Sequence, residues 1–177
     1  MKKTFNLINI FCLSLALFFS CAKKEEVQPR EIDLKDKVAY KNFVVDAMYK
    51  WYRPSTGDHF YTKTQYSSIN QYNGEGIAWY QPRFQETGSL PLRRYWNGRD
   101  HFYTTNTGSI AGYVFEQEVG YVFTSSNAAQ NLLPVYRYFN GSTGDHFYTM
   151  YYSSNIPGYV YEGVFFYAWL RASDALL

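Results

Sequence analysis

An all-β domain built from copies of one unit is the fold class this sequence predicts, and two observations carry the prediction. The five-residue string Asp-His-Phe-Tyr-Thr occurs three times, at positions 58–62, 100–104 and 145–149. Chance identity of that length in three places is negligible, so the repeat stands without reference to any known motif. The composition is 21% aromatic, with 19 Tyr and 14 Phe among 177 residues. Aromatic and β-branched runs broken by Gly, Pro, Asn and Ser read as short strands.

Each unit can be justified element by element. A first strand precedes the string: Tyr49-Lys50-Trp51-Tyr52, Arg93-Arg94-Tyr95-Trp96 and Tyr136-Arg137-Tyr138-Phe139. The string itself is the second strand. Asn97-Gly98 suits a tight turn between them in the second unit, because both residues accept positive φ; the other units carry a longer Ser-Thr-Gly loop. Polar connections at 65–71, 106–111 and 151–157 leave room for a short helical turn. Glu75 to Tyr80, Glu116 to Tyr121 and Glu162 to Tyr167 then align without gaps, and a third strand, with space for a fourth, is expected after each glutamate.

The unit boundaries fall at 45–89, 90–132 and 133–177, about 43 residues each, with the histidines 42 and 45 positions apart. A unit this small cannot cover its own apolar face, so three must share one core. A propeller typically needs more blades, and a solenoid needs polar caps that this sequence lacks. A pseudo-threefold closed barrel, β-trefoil-like, removes the sheet edges and is the architecture expected.

The N-terminal part reads differently. Met1-Lys2-Lys3 followed by the apolar stretch from Leu7 to Phe19 is a secretory signal over residues 1–20, too short to span a bilayer. Phe18-Phe19-Ser20-Cys21 resembles the lipobox of bacterial lipoproteins, which implies that Cys21 is acylated and becomes residue one. Several acyl chains give durable membrane anchoring. Ala22, where an Asp would favour inner-membrane retention, implies by the same resemblance an outer membrane lipoprotein, facing the periplasm or the exterior. Residues 21–44, rich in charge and poor in aromatics, read as a flexible tether.

Composition excludes several classes. With 46% hydrophobic and 18% charged residues the chain is globular rather than disordered. Loss of Lys2 and Lys3 leaves 15 basic against 15 acidic residues, so no basic face for nucleic acid is expected. Cys12 leaves with the leader, and one remaining cysteine forms neither an intrachain disulfide nor a thiolate cluster. There is no nucleotide-binding glycine loop, nucleophile elbow or His-Glu-x-x-His. No cofactor is implied.

The combined pattern, Thr-Gly-Asp-His-Phe-Tyr-Thr followed by Tyr-Val-Tyr-Glu-Gly, resembles a family of secreted repeat proteins, mostly bacterial and some fungal, known as a domain of unknown function. The resemblance runs from about Met48 to Leu177; unit two departs at Gln117, where the family has Gly. It implies an extracytoplasmic role at the cell surface or wall and brings no established chemistry.

The candidate site residues are Asp58, His59 and Tyr61, with Asp100, His101 and Tyr103, and Asp145, His146 and Tyr148. On a strand, His and Tyr share one face while Phe and Thr share the other. Three readings are open. In the first, the Phe packs inside, the Asp caps its own hairpin and the His bonds across the strands. In the second, Asp, His and Tyr line one pocket per unit, the ring stacking on a sugar and the polar groups meeting its hydroxyls. In the third, the three histidines meet on an axis and hold zinc.

The repeated carboxylates Glu75, Glu116 and Glu162 are candidates for acid–base work or for ion pairs with Lys50, Arg94 and Arg137. Glycosidases need carboxylates in unlike environments, whereas repetition makes like ones. The function expected is therefore a non-catalytic envelope module binding glycan or cell-wall polymer at weak sites repeated up to three times. The alternatives are a structural lipoprotein with an envelope protein partner, and a glycan hydrolase.

Overall fold

A computed structural model describes residues 42–176. Its strands are β1 (Val45–Arg53), β2 (Asp58–Thr62) and β3 (Asn73–Pro82); β4 (Ser89–Trp96), β5 (His101–Thr104) and β6 (Val114–Phe123); β7 (Leu133–Asn140), β8 (Asp145–Thr149) and β9 (Val160–Ala168). Among the described residues the chain is all-β, with a 3-10 turn at Ala172–Ala175 and no α-helix. The expected leader, Cys21 and most of the expected tether lie outside the described residues.

In every unit the first strand lies between the other two, giving the orders β2-β1-β3, β5-β4-β6 and β8-β7-β9. The hairpins are in equivalent register: Trp51 faces Phe60, Tyr95 faces Phe102 and Tyr138 faces Phe147. The outer pairs β1–β3, β4–β6 and β7–β9 each carry two register shifts. Such irregularities add local twist and bend the strands around a core.

Two expectations need correcting. Each unit has one strand after the connection, with no fourth among the described residues, and it begins ahead of the glutamate, so Glu75, Glu116 and Glu162 lie within β3, β6 and β9. The connections hold no helical turn. Tyr72, Tyr113 and Tyr159 instead donate their N–H to Ile69, Ile110 and Ile156 at 3.0–3.1 Å, and this tight reversal starts the strand at once.

Units meet at the ends of their third strands. Phe123 pairs with Tyr167, joining β6 to β9, and Tyr80 and Trp169 exchange both backbone hydrogen bonds, at 2.8 and 3.0 Å. The segment before β1 belongs to this fold. Asn42 bridges to Leu176, and the Phe43 ring lies 4.9 Å from Trp169 and 5.9 Å from Phe123. The tether expected over 21–44 is thus ordered at its end, because Phe43 has an apolar cluster to fill.

The main core takes Met48, Leu92 and Val135 from equivalent positions of the first strands, Tyr61, Tyr103 and Tyr148 from the second, and Trp79, Val119 and Phe166 from the third. Its one gap in equivalence is instructive. Unit two has Gly120 where the aligned units place Trp79 and Phe166. Gln81, fully buried, occupies that room, accepting from Trp79 Nε1 at 2.9 Å and donating to the Val119 carbonyl at 2.7 Å.

A methyl group on Gly120 would land on Gln81 Nε2, and its φ of +130° already disfavours a side chain. Gly163, at φ +125°, has open space where its Cβ would be. Gly120→Ala should therefore destabilise by about 3 kcal/mol, and Gly163→Ala by about 1 kcal/mol, the difference reporting overpacking beyond backbone strain. Urea denaturation of the two variants measures it.

Candidate functional site

The second strands β2, β5 and β8 each pair on one side only, with the first strand of their own unit, and their free edges approach one another. A strand edge buried there leaves N–H and C=O groups that must find partners. The repeated string supplies them from its side chains.

The Tyr103 hydroxyl donates to the Tyr61 carbonyl at 2.7 Å and accepts from the Tyr61 N–H at 2.6 Å. Tyr148 does the same for Tyr103, both bonds at 3.0 Å, and Tyr61 does it for Tyr148 at 2.8 and 2.9 Å. Each hydroxyl thus replaces a missing strand partner. Two residues earlier, the His N–H groups are met by carboxylates. Asp145 Oδ1 accepts from His59 N at 2.7 Å, Asp58 Oδ1 from His101 N at 2.9 Å and Asp100 Oδ1 from His146 N at 2.9 Å.

The second oxygen of each carboxylate binds the ring of the same histidine. The Nδ1–Oδ2 distances are 2.6 Å for His59–Asp145, 2.8 Å for His101–Asp58 and 2.7 Å for His146–Asp100. That oxygen also accepts a hydroxyl from its own unit: Tyr72 to Asp58, Tyr113 to Asp100 and Tyr159 to Asp145, at 2.5–2.7 Å. An ionised carboxylate only accepts, so Nδ1 carries the ring proton towards it. Tyrosines serve the preceding unit and aspartates the following one. The two rings of bonds therefore run in opposite senses.

Carboxylate oxygens of Asp58, Asp100 and Asp145 lie within 4.8 Å of one another, and all three residues are buried. Burial pushes the Asp58 carboxyl up, but the hydrogen bond and charge of His101, with the Tyr72 hydroxyl and the His101 N–H, outweigh it and hold the group below its usual value. Burial drives Tyr61, Tyr103 and Tyr148 well above the ordinary phenol range. It does the same for Tyr72, Tyr113 and Tyr159, reinforced by their bonds to the carboxylates. These hydroxyls remain protonated donors.

A further shell surrounds the histidines. His59 lies between Tyr52 and Phe147, His101 between Trp96 and Phe60, and His146 between Phe139 and Phe102, with centroids 4.3–4.8 Å apart. Phe147, Phe60 and Phe102 each come from the neighbouring unit and carry a cation on the ring: Lys50 over Phe147, Arg94 over Phe60 and Arg137 over Phe102. The same cations pair with the repeated glutamates, Lys50 with Glu75 at 3.3 Å, Arg94 with Glu116 at 2.6 Å and Arg137 with Glu162 at 2.6 Å. Nε2 of His59 and of His101 lies 3.9 Å from the glutamate of its unit.

Several sequence expectations change. Tyr, and not Phe, is innermost, because only a hydroxyl can both donate to and accept from a bare strand edge. The Phe rings are half-buried wedges. The aspartate reaches the next unit instead of capping its own hairpin; Asn97 and Asn140 cap the second and third hairpins through Oδ1. The aspartates converge, and the histidines point at them, so the arrangement is not a three-imidazole zinc site. Every oxygen of the acidic cluster accepts a hydrogen bond. Tyr61, Tyr103 and Tyr148 have no exposed face, which removes them as platforms for a sugar. Sequence reasoning missed Tyr72, Tyr113 and Tyr159, although each stands three residues before a repeated glutamate.

Outside this hub the units differ. Unit two has a cavity of about 280 Å³ beside Arg93, Tyr95, Thr107, Ile110 and Phe115. Unit three has tyrosines in contact: Tyr136–Tyr152 at 5.4 Å and Tyr152–Tyr161 at 5.5 Å.

Fold and hub define a class: an all-β protein of internal repeats whose repeated polar side chains are turned on one another. The chain belongs to the family described as a domain of unknown function (DUF5648), whose model matches residues 35–110 and again 109–175. The first match takes in unit one and the β4–β5 hairpin, the second β6 and unit three. No curated protein and no solved structure matches the chain significantly.

Removing a ring from the hub strands a buried carboxylate. His59→Ala, His101→Ala and His146→Ala should each lower stability by about 2–4 kcal/mol, and by similar amounts; thermal unfolding of the three variants checks the equality. With its folded-state pKa below the unfolded one, Asp58 contributes stability that is complete above about pH 4 and lost as pH falls through the folded value. Asp58→Asn should flatten the acid limb of stability measured between pH 2 and 7.

Proposed function

We propose that this protein is a non-catalytic binding module of the bacterial envelope, anchored in the outer membrane through acylated Cys21 and recognising glycan or cell-wall polymer with its outer faces. One observation carries the reading. The groups capable of chemistry, the repeated Asp, His and Glu side chains, are each committed to a partner within the hub, while large aromatic side chains remain at the surface. Phe84 is 61% exposed and Phe115 49%. Sugar rings present flat C–H faces and hydroxyl rims, which suit aromatic surfaces flanked by polar groups.

The fold is read here as a closed pseudo-threefold barrel of the β-trefoil kind. Equal hairpin registers and two cyclic sets of hydrogen bonds support it. Because the outer faces differ, this reading does not require three equal sites. A second reading, a docking protein for an envelope partner, is favoured by the continuous tyrosine patch of unit three.

Retention of the mature protein on at least one envelope polysaccharide, in pull-down or on a glycan array, is the expected result. Binding to none of them would sink the glycan reading, and crosslinking of the unit-three patch to one envelope protein would establish the second. Cys21→Ser should move the protein from the membrane to the soluble fraction; persistent membrane association would remove the lipid anchor from the account.

A further inference from the structure

Alignment of the units on their strand registers explains why a cavity exists in unit two. Arg93 stands where the other units have Tyr49 and Tyr136, Thr107 where they have Gln65 and Tyr152, and Phe115 where they have Gly74 and Tyr161. In unit three the Tyr152 ring packs between Tyr136 and Tyr161. The short Thr107 leaves that room open in unit two, and unit one, with Gly74, has no ring for a floor.

The cavity's chemistry is mixed in a specific way. Phe115, about half exposed, offers an apolar surface beside Ile110. Around it stand Arg93 and the hydroxyl-bearing Thr107 and Ser109. Arg93 is held in place, donating to Glu118 at 3.0 Å and to the Thr107 carbonyl at 3.1 Å, with its guanidinium 5.7 Å from the Phe115 centroid. Its charge is therefore met by Glu118, and the site offers no net attraction to an anion. The Tyr95 and Tyr113 hydroxyls are engaged with Gly108 and Asp100, so the wall is fixed. At about 280 Å³ the space lies at the small end of ligand pockets.

We infer that this cavity is the saccharide subsite of the protein, taking one neutral pyranose residue with its C–H face on Phe115 and its hydroxyls towards Thr107, Ser109 and Arg93. The inference rests on the glycan-binding reading and assigns it to one unit. The unit-three tyrosines fill their own equivalent space and are not the site.

The decisive variant borrows from the protein itself. Thr107→Tyr places the unit-three side chain in the unit-two cavity and should close it, while Phe115→Ala removes the floor; Tyr152→Ala serves as the comparison. With a neutral polysaccharide that retains the wild type, affinity electrophoresis should show at least a tenfold loss for Thr107→Tyr and for Phe115→Ala, with unfolding midpoints close to wild type, and no loss for Tyr152→Ala. Should Thr107→Tyr fail to fold, Phe115→Ala decides alone. Undiminished binding by Phe115→Ala, or loss confined to Tyr152→Ala, would overturn the assignment and leave the glycan reading standing. A wild type that binds no glycan overturns both, and preference for a uronic-acid polymer over neutral ones overturns the assignment to a neutral sugar.

Discussion

Three strand edges that face each other without room for another strand are the constraint on which the rest of this molecule depends. Their N–H and C=O groups lie where water does not reach, and leaving them unpaired would cost more than most single side-chain contacts return. A tyrosine hydroxyl and an aspartate carboxylate stand in for the absent strand. Once they do, the remaining positions of the string are determined. Histidine must follow the aspartate, because its N–H and Nδ1 together meet both oxygens of a neighbour's carboxylate. Phenylalanine must alternate with them, because the outward face has to cover the next histidine ring.

The outer shell answers a second problem, that of three carboxylates brought close together in a buried place. Such a cluster is tolerable only with donors on every oxygen. Tyr72, Tyr113 and Tyr159 complete the set. Lys50, Arg94 and Arg137 then bind the glutamates and the Phe rings in one stroke. Polar groups so fully used are committed to the hub, whereas positions 93, 107 and 115 and their counterparts differ among the units, their contacts staying within one unit.

Much of this was legible beforehand. The string and the gap-free glutamate alignment locate three units, their first two strands and the basic partner of each glutamate, since those relations are local and repeat in register. Strand faces were not legible: alternation places His59 with Tyr61 and Phe60 with Thr62, but it does not say which face is central. Nor could the sequence tell that Asp58 serves His101 instead of its own hairpin, because a contact between units leaves no periodic trace within one. Gln81 filling the space above Gly120 is a single compensation between two unlike positions, visible only once the units are packed.

The closing contacts of the two rings join the ends of the domain. His59 to Asp145 and Tyr61 to Tyr148 span 86 and 87 residues, so in a nascent chain the His59 N–H lacks its carboxylate and the Tyr61 hydroxyl its carbonyl until unit three has been made. Partial domains gain little from waiting. Long-range closure of this kind slows folding relative to helical proteins of equal size.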